Sequence, residues 1–579
     1  MDEQKAEKET KELLKPTISF ESITFSDGTT LSLDEDDIIV FVGPNNAGKS
    51  AALRELENWI AHARPGLVIK GTTLRKTGTT ADLRAYLEVK SQKNGDVASF
   101  AFGGMGYNIH HSHLHHFEQV ALNPVAPLFS KRVTTENRIQ DSNPAPAIAL
   151  FNQPPTHPIH VLLMDPDVAH DLSGKFRHAF GKDLTPFRAG GSEFPLYVGD
   201  KPARLPDQDE LARAFVEALQ KTNFPLQSQG DGMRSFASVM LHVLAAESHS
   251  IKFLDEPEAF LHPPQARLLG RYIAENRSGG TQLFISTHST DILDGLIEGG
   301  TDKVRIVRLR REGDINHIKE LGKEQTKRIA KDTLARFSRV FDGIFFEHVV
   351  ICEADADCMF YQSILNLFSI SGDRRPDVLF VHTAGKHRMA KLSDTLRSLD
   401  VPVSVIADID LLNDEGTFKN LFQKLGGNWA DVSPHWKAVV EAVEKQRPPL
   451  NAEQVAKLIG DQLQGVSGTK EFPVEKERAI KEVFKTVSTW GAMKRSGRSA
   501  LPAGEAIKHF DALTAKCSEK GLWIVPVGEI EGFCRSVGAH GPGFVERVLE
   551  DKDLQTDPEL EDARDFVGSI WARAKAPQH

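Results

Sequence analysis

A chain of 579 residues is too long for one hydrophobic core and suggests about three to four domains; its 40% hydrophobic and 26% charged residues are ordinary for a globular protein. The net charge of −10 disfavours a protein that coats nucleic acid nonspecifically, although a local basic groove can sit on an acidic chain. No apolar run approaches the roughly 20 residues of a membrane helix. The charged start MDEQKAEKETKELLK has no secretory core, and the four cysteines (Cys352, Cys358, Cys517, Cys534) show no CxxC pairing, so a cytoplasmic protein away from membranes is expected.

Residues 1–16 read as a charged N-terminal segment. From Thr17 to Leu33 apolar and polar residues alternate around a Ser-Asp-Gly turn at 26–28, which predicts a hairpin. Ile38–Val42 is short, apolar and β-branched, and predicts a buried strand that ends at Gly43, with a helix from Ala51. The stretch 71–102 reads as β-like. Residues 103–160, rich in Gly, His, Asn and Pro, read as an insertion. Its His110, His111, His113, His115 and His116 fit a solvated loop better than a metal site, because ligands need fixed geometry as well as nitrogen. Helix, strand and helix are expected across 161–222. Ile251–Leu254 and Gln282–Ser286 predict buried strands, Lys303–Leu309 an edge strand, and 321–345 a helical connector. A second α/β pattern begins at Val349, with strands at Val378–Val381, Val401–Ile406 and Leu522–Val527. A mostly helical insertion covers 411–520, and 536–579 reads as a helical tail.

Two motifs in the first half carry nucleotide chemistry. Gly43-Pro44-Asn45-Asn46-Ala47-Gly48-Lys49-Ser50 fits G-x4-G-K-[ST] between a strand and a helix. Gly43 and Gly48 let the backbone N–H groups of the loop, Asn45 and Asn46 included, curl around phosphates. Lys49 would reach the β- and γ-phosphates, Ser50 would ligate Mg2+, and the helix N-terminus adds partial positive charge. Phe253-Leu254-Asp255-Glu256 places two carboxylates at a strand end: Asp255 would hold Mg2+ through water and Glu256 would polarise the attacking water. Alone, that pair also fits a strand-end turn; the P-loop upstream favours the nucleotide reading. Ser286-Thr287-His288-Ser289 follows the next strand and offers His288 as a sensor of the γ-phosphate. Ser228–Arg234 precedes a helix and fits either an N-cap turn or a nucleotide-contacting loop.

The second half offers a different chemistry. Val350–Asp357 puts Glu353 and Asp357 just past a buried strand, and Val405–Asp410 repeats the arrangement with Asp408 and Asp410. Two strand ends of a parallel sheet can bring Glu353, Asp408 and Asp410 together. Such a cluster repels itself unless cations bridge it, and oxygen ligands select hard ions, Mg2+ or Mn2+. Metal-assisted phosphodiester cleavage is the natural reaction. The alternative is a flavodoxin-like fold with acidic strand ends and no chemistry.

Asp255-Glu256-Pro257-Glu258-Ala259-Phe260-Leu261-His262-Pro263 resembles the Walker B segment of RecF/SMC-like ATPases and of the OLD (overcoming lysogenization defect) family. By that resemblance 228–234 is a diverged ABC signature loop, not LSGGQ, whose Gln229 contacts the nucleotide of a second subunit. E-x3-D followed by D-x-D is similar to the Toprim pattern of topoisomerases, primases and OLD nucleases. The resemblance implies Glu353 as ligand or general base, Asp408 and Asp410 as metal ligands, and Asp357 as ligand or support. Gly528-Glu529-Ile530-Glu531 looks like the G-x-[IL]-E element of OLD Toprim domains and would add Glu531 and Glu529 as ligands. Thr383-Ala384-Gly385-Lys386 falls where Toprim domains carry a Gly-bearing loop, and either Lys494 or Lys386 would face the scissile phosphate. Ala354 stands where Toprim domains usually have Gly.

The implied fold class is α/β: an ABC/RecF-like P-loop ATPase over 17–320, then a Toprim domain over 346–535 with the helical insertion. The implied function is a DNA endonuclease that nicks or cleaves with Mg2+ or Mn2+ and is regulated by ATP. The implied partners are DNA and further copies of the chain, a dimer or tetramer joined through the ATPase domain. Anti-phage defence of the Gabija- or retron-associated type would add a helicase, or a retron reverse transcriptase with its nucleic acid. The competing reading is a RecF/SMC-like DNA-binding scaffold with an inactive Toprim domain.

Overall fold

The computed structural model describes residues 13–93, 99–102, 107–149, 155–203, 209–244, 249–276, 280–300, 302–322, 326, 340–368, 376–383, 385–446, 452–464, 466, 472–486 and 489–575. Most of the connector expected over 321–345, and Ala384 of the Gly-bearing loop, lie outside these residues. The chain divides into two compact units, Met1–Thr333 and Leu334–His579.

In the first unit β1 (Thr17–Phe25) and β2 (Thr30–Ser32) form the expected antiparallel hairpin, with Gly28 at φ +83° in the turn. The fully buried β3 (Ile38–Val42) follows, then α1 (Lys49–His62), and β4 (Ile69–Thr77) returns to pair with β1. The central sheet adds β5 (Ser130–Val133), β6 (Ile251–Asp255), β7 (Gln282–Ser286), β8 (Val304–Glu312) and β9 (Ile315–Leu321) in the order β9-β8-β3-β7-β6-β5. All neighbours are parallel except β8 and β9. Phe41, Phe284 and Phe253, on the adjacent strands β3, β7 and β6, stack at centroid separations of 6.4 and 5.4 Å. Parallel strands buried on both faces read as continuous apolar runs, which is why β3, β6 and β7 were legible.

Three sequence expectations are corrected here. The β-like stretch 71–102 contains a helix, Thr80–Lys90, started by a capping box between Thr79 and Asp82 and burying Leu83 and Leu87 one turn apart. The supposed insertion 103–160 supplies β5, an edge strand of the central sheet, and α2 (Thr135–Asp141) behind it. The strand at Lys303–Leu309 is not an edge: β8 lies between β9 and β3. Its charges are accommodated inside because Arg305 reaches the fully buried Asp37 at 2.8 Å and Glu320 at 2.6 Å. Within the histidine-rich run, Leu114 and Phe117 turn inward from a 3-10 turn, while His110, His113 and His115 are exposed.

The site-forming helices of this unit are α2, α3 (Asp231–Leu244), α4 (Pro263–Glu275) and α5 (Thr290–Gly300). The second unit has a four-stranded, wholly parallel sheet: β10 (His348–Cys352), β11 (Val378–His382), β12 (Val403–Ala407) and β13 (Leu522–Ile524) in the order β11-β10-β12-β13. The helix α6 (Asp355–Leu367) follows β10, and α7 (Met389–Ser398) follows β11. Between β12 and β13 run α8 (Glu415–Lys424), α9 (Trp429–Lys445), α10 (Ala452–Leu463), α11 (Val474–Thr486), α12 (Thr489–Ser496) and α13 (Glu505–Glu519). The C-terminal α14 (Pro542–Asp551) and α15 (Glu561–Lys575) belong to the same core: Phe544, Val548, Val567 and Ile570 cluster with Val350, Phe360 and Ile406. Adjacent parallel strands β10 and β12 point their carboxyl ends the same way, so Glu353 and Asp408 emerge side by side. Among the described residues no helix is long and apolar enough to cross a membrane.

Candidate functional site

The P-loop leaves β3 through Gly43, whose φ of +139° suits glycine and whose absent Cβ would stand 2.2 Å from Leu309 O on β8. Asn46 (φ +63°) and Gly48 (φ +95°) continue the curl into α1. Asn316 on β9 donates from Nδ2 to Ala47 O at 2.7 Å and braces the loop from outside. Lys49 is only 4% exposed, and its ammonium donates to Gly43 O (2.8 Å) and Pro44 O (2.9 Å), so the charge is held inside the loop it serves. Ser50 is half-buried in the first turn of α1, and Asn45 is exposed.

Asp255 ends β6 opposite Ser286 of β7, whose hydroxyl donates to Asp255 Oδ1. The backbone then turns left-handed at Glu256 (φ +48°), and Glu256 N–H donates to Ser286 O at 3.0 Å. Glu256 Oε1 lies 3.5 Å from His288 Nε2. Burial, and then the Lys49 ammonium, push the His288 imidazole down to about 4 against the pull of Asp255. Lys49, Asp255, Glu256 and His288 therefore share one locality, and His288 is neutral at physiological pH.

Two contributors to this locality escaped the sequence reading. Glu258 is half-buried, accepts from Thr287 Oγ1 (2.7 Å) and His288 N (2.9 Å), and has its carboxyl raised chiefly by burial. Arg138 on α2 is fully buried and donates to Asp255 O (2.8 Å) and Glu256 O (2.9 Å). Glu258 was inside a recognised motif and could have been singled out by its spacing from Glu256; Arg138 carried no local signal. The described side-chain contact of Gln229 is a donation from Nε2 to Pro225 O at 3.4 Å, in the loop before α3.

In the second unit, ligand atoms of Glu353, Asp408 and Asp410 all lie within 4.8 Å of one another. Glu353 Oε1 and Asp410 Oδ1 are buried with no hydrogen-bond partner. Burial, and then Asp410, raise the Glu353 carboxyl; burial, and then Glu353, raise that of Asp408. Two lysines offset this charge: Lys494 Nζ lies 3.2 Å from Asp408 Oδ2, and Lys386 Nζ lies 3.1 Å from Asp410 Oδ2. Burial alone would lower the Lys494 ammonium, but Asp408 and Asp410 hold it above its ordinary value. Buried carboxylate oxygens with unused lone pairs, grouped this closely, suit a hard divalent cation.

Asp357 stays outside that group. Its Oδ2 accepts from Ala354 N at 2.9 Å and caps α6. Glu529 and Glu531 form a second group with His540, again within 4.8 Å. Glu531 Oε1 accepts from Gly541 N (2.7 Å) and pairs with His540 Nδ1, a partner that sequence spacing did not suggest. Gly528 (φ +106°) has a reason to be glycine: a Cβ there would stand 2.0 Å from Lys494 O. That close approach seats α12 against the loop after β13 and delivers Lys494, from within the helical insertion, to Asp408 and to Glu529 (3.6 Å).

The sheet order, the P-loop at the end of β3 and the Asp-Glu pair at the end of β6 give the first unit a P-loop ATPase fold, a class that takes ATP with Mg2+. Residues 109–294 match the protein family described as "AAA domain, putative AbiEii toxin, Type IV TA system". The Old nuclease of Escherichia phage P2 is 22% identical over 174 residues, 29% of this chain and 29% of the phage protein. That match spans under a third of the length of the phage nuclease. Similar solved structures include the SMC head domain from Thermotoga maritima (12% identity, 53% of this chain, 100% of that one, TM-score 0.28). They also include an SMC head bound to the C-terminal winged-helix domain of ScpA (9%, 54%, 100%, 0.34) and a nucleotide-free ATP-binding cassette of an ABC transporter (11%, 56%, 98%, 0.25).

Proposed function

We propose that this protein is an OLD-type DNA endonuclease, in which a Toprim domain nicks or cleaves DNA with a divalent metal under the control of ATP. The observation that carries the reading is the convergence of Glu353, Asp408 and Asp410 at two strand ends, with Glu353 Oε1 and Asp410 Oδ1 buried and unpaired. Mg2+ or Mn2+ held by these three carboxylates supplies an activated water and neutralises charge at the scissile phosphate. The chain's own residues do the rest. Lys386 keeps Asp410 in place, and Lys494 offers an ammonium to the phosphodiester while it holds Asp408. Glu529 and Glu531 give a second acidic group beside Lys494, where a second cation would fit. Asp357 supports the site by capping α6 and presenting Glu353.

In the ATPase, Lys49 would exchange its loop carbonyls for the β- and γ-phosphates. Ser50 and Asp255 would hold Mg2+, Glu256 would orient the attacking water, and neutral His288 would hydrogen-bond the γ-phosphate. Gln229 would act across a dimer, as the likeness of 228–234 to a signature loop implies. The competing reading, a scaffold with an inactive Toprim domain, gains nothing from Ala354: its φ is −127°, an extended conformation that needs no glycine. A role in anti-phage defence follows from the OLD likeness alone.

The test is nicking of supercoiled plasmid with Mg2+ or Mn2+, with and without EDTA, over a range of ATP concentrations. The wild type nicks only with metal, and Asp408→Ala binds ATP normally but does not nick. Full-rate nicking by Asp408→Ala would remove the site assignment. Absence of nicking by the wild type under every condition would favour the scaffold.

A further inference from the structure

The Asp255-Glu256 backbone is unusual in being held by a side chain from a distant segment. Glu256 takes a left-handed φ of +48°, a conformation that costs a non-glycine residue about 1 kcal/mol or more and persists only where surroundings fix it. Its N–H is taken by Ser286 O, and its carbonyl, with that of Asp255, is taken by the two terminal nitrogens of Arg138. Arg138 Nη2 also donates to Thr135 Oγ1 at 2.9 Å, so the guanidinium plane is locked to its own helix.

The other end of α2 points elsewhere. Arg234, in the first turn of α3, donates to Ile139 O (2.9 Å), Ser142 Oγ (2.9 Å) and Asn143 Oδ1 (3.2 Å). Further along α3, buried His242 pairs with Asp141 at 2.7 Å. One short helix is therefore bonded to the carboxylate-bearing turn by Arg138 and to the helix behind the 228–234 loop by Arg234 and His242.

We infer that Arg138 is a positioning residue for ATP hydrolysis, fixing the direction of the Asp255 and Glu256 side chains, and that α2 transmits displacements of the 228–234 loop to them through Arg234. The inference rests on the reading of Asp255 and Glu256 as the Mg2+-holding and water-orienting carboxylates. Misplacement of a reacting group by about 1 Å costs about 100-fold in rate. Loss of this brace is therefore felt in kcat rather than in nucleotide binding, which the P-loop supplies.

The experiment compares full-length wild type, Arg138→Met, Arg138→Lys, Arg234→Gln and Glu256→Gln in steady-state ATP hydrolysis, binding of a fluorescent ATP analogue and thermal unfolding. Arg138→Met lowers kcat by about 100-fold with analogue affinity close to wild type. Arg138→Lys recovers part of the loss, because an ammonium can reach one of the two carbonyls. Arg234→Gln, at the more accessible end, lowers kcat by about tenfold with KM unchanged, because the shorter amide cannot keep all three of the guanidinium's hydrogen bonds to Ile139, Ser142 and Asn143. Should Arg138→Met fail to fold, Arg138→Lys and Arg234→Gln decide the matter. Wild-type kcat in both of those variants, with Glu256→Gln inactive, overturns the inference. Wild-type hydrolysis by Glu256→Gln instead overturns the assignment of the carboxylates, and the inference with it.

Discussion

Lys494 Nζ lies 3.2 Å from Asp408 Oδ2 and 3.6 Å from Glu529 Oε2, so one ammonium on α12 ties together two carboxylate groups of the second unit. Lys386 pairs with Asp410, through both its carboxylate (3.1 Å) and its main-chain carbonyl (3.3 Å). The sequence offered the two lysines as rivals; the structure brings both to the acidic cluster in different positions.

This difference predicts unequal effects. Lys494→Met removes the cation shared between the two carboxylate groups and should lower plasmid nicking by roughly 100-fold or more, the scale of losing one preorganised charge at a transition state. Lys386→Met should cost less and should be partly relieved by raised Mn2+, because its loss chiefly loosens Asp410. Quantified nicking time courses across Mn2+ concentrations check the order; a larger loss for Lys386→Met would contradict it.

The P-loop exit is predicted to be intolerant. Gly43→Ala places a methyl group 2.2 Å from a backbone oxygen of β8 at φ +139°, where no flexible side chain can give way. A loss of at least about 2 kcal/mol in stability and of measurable ATP binding is expected, read by thermal unfolding and analogue binding.

Glu258 should matter through its acceptor geometry. Glu258→Ala leaves the Thr287 hydroxyl and the His288 N–H without their shared acceptor, at about 1–3 kcal/mol for the buried Thr287 donor, while the exposed His288 N–H can turn to water. It should reduce ATP hydrolysis by roughly tenfold or more. Glu258→Gln keeps one acceptor oxygen and should retain most activity. Equal activity of Glu258→Ala and wild type would show that the loop bearing His288 does not depend on this carboxylate.

Lys252 gives a prediction in pH. It is buried on β6, donates to His242 O at 2.7 Å, and burial lowers its ammonium to about 7. In the unfolded chain it titrates near 10.4, so between about pH 7 and 10.4 the unfolded state binds more protons and stability from this group rises with pH. Below about 7 the cost of burying the charge is fully present, roughly 5 kcal/mol at most. Lys252→Met should therefore raise the melting temperature at pH 6.5 despite the lost hydrogen bond to His242 O. Its advantage over wild type should shrink steadily towards pH 10, and an advantage that grew with pH would refute the burial argument.

Features that depend on a few consecutive residues were readable from the chain alone. A P-loop needs its glycines, Lys49 and Ser50 in one turn between a strand and a helix, and parallel strands buried on both faces announce themselves as apolar runs. The same locality made Asp255-Glu256, Glu353, and Asp408 with Asp410 visible as acids at strand ends. What the tertiary structure alone decided concerns residues whose partners are remote: Arg138 on the Asp255 and Glu256 carbonyls, Asn316 bracing the P-loop, Lys494 delivered from a helical insertion, and His540 beside Glu531. A buried polar side chain has no period in sequence, because its burial is set by the group it meets and not by its neighbours in the chain. For the same reason Ser130–Val133, short and without alternation, gained its identity as a strand only from the β6 edge it pairs with.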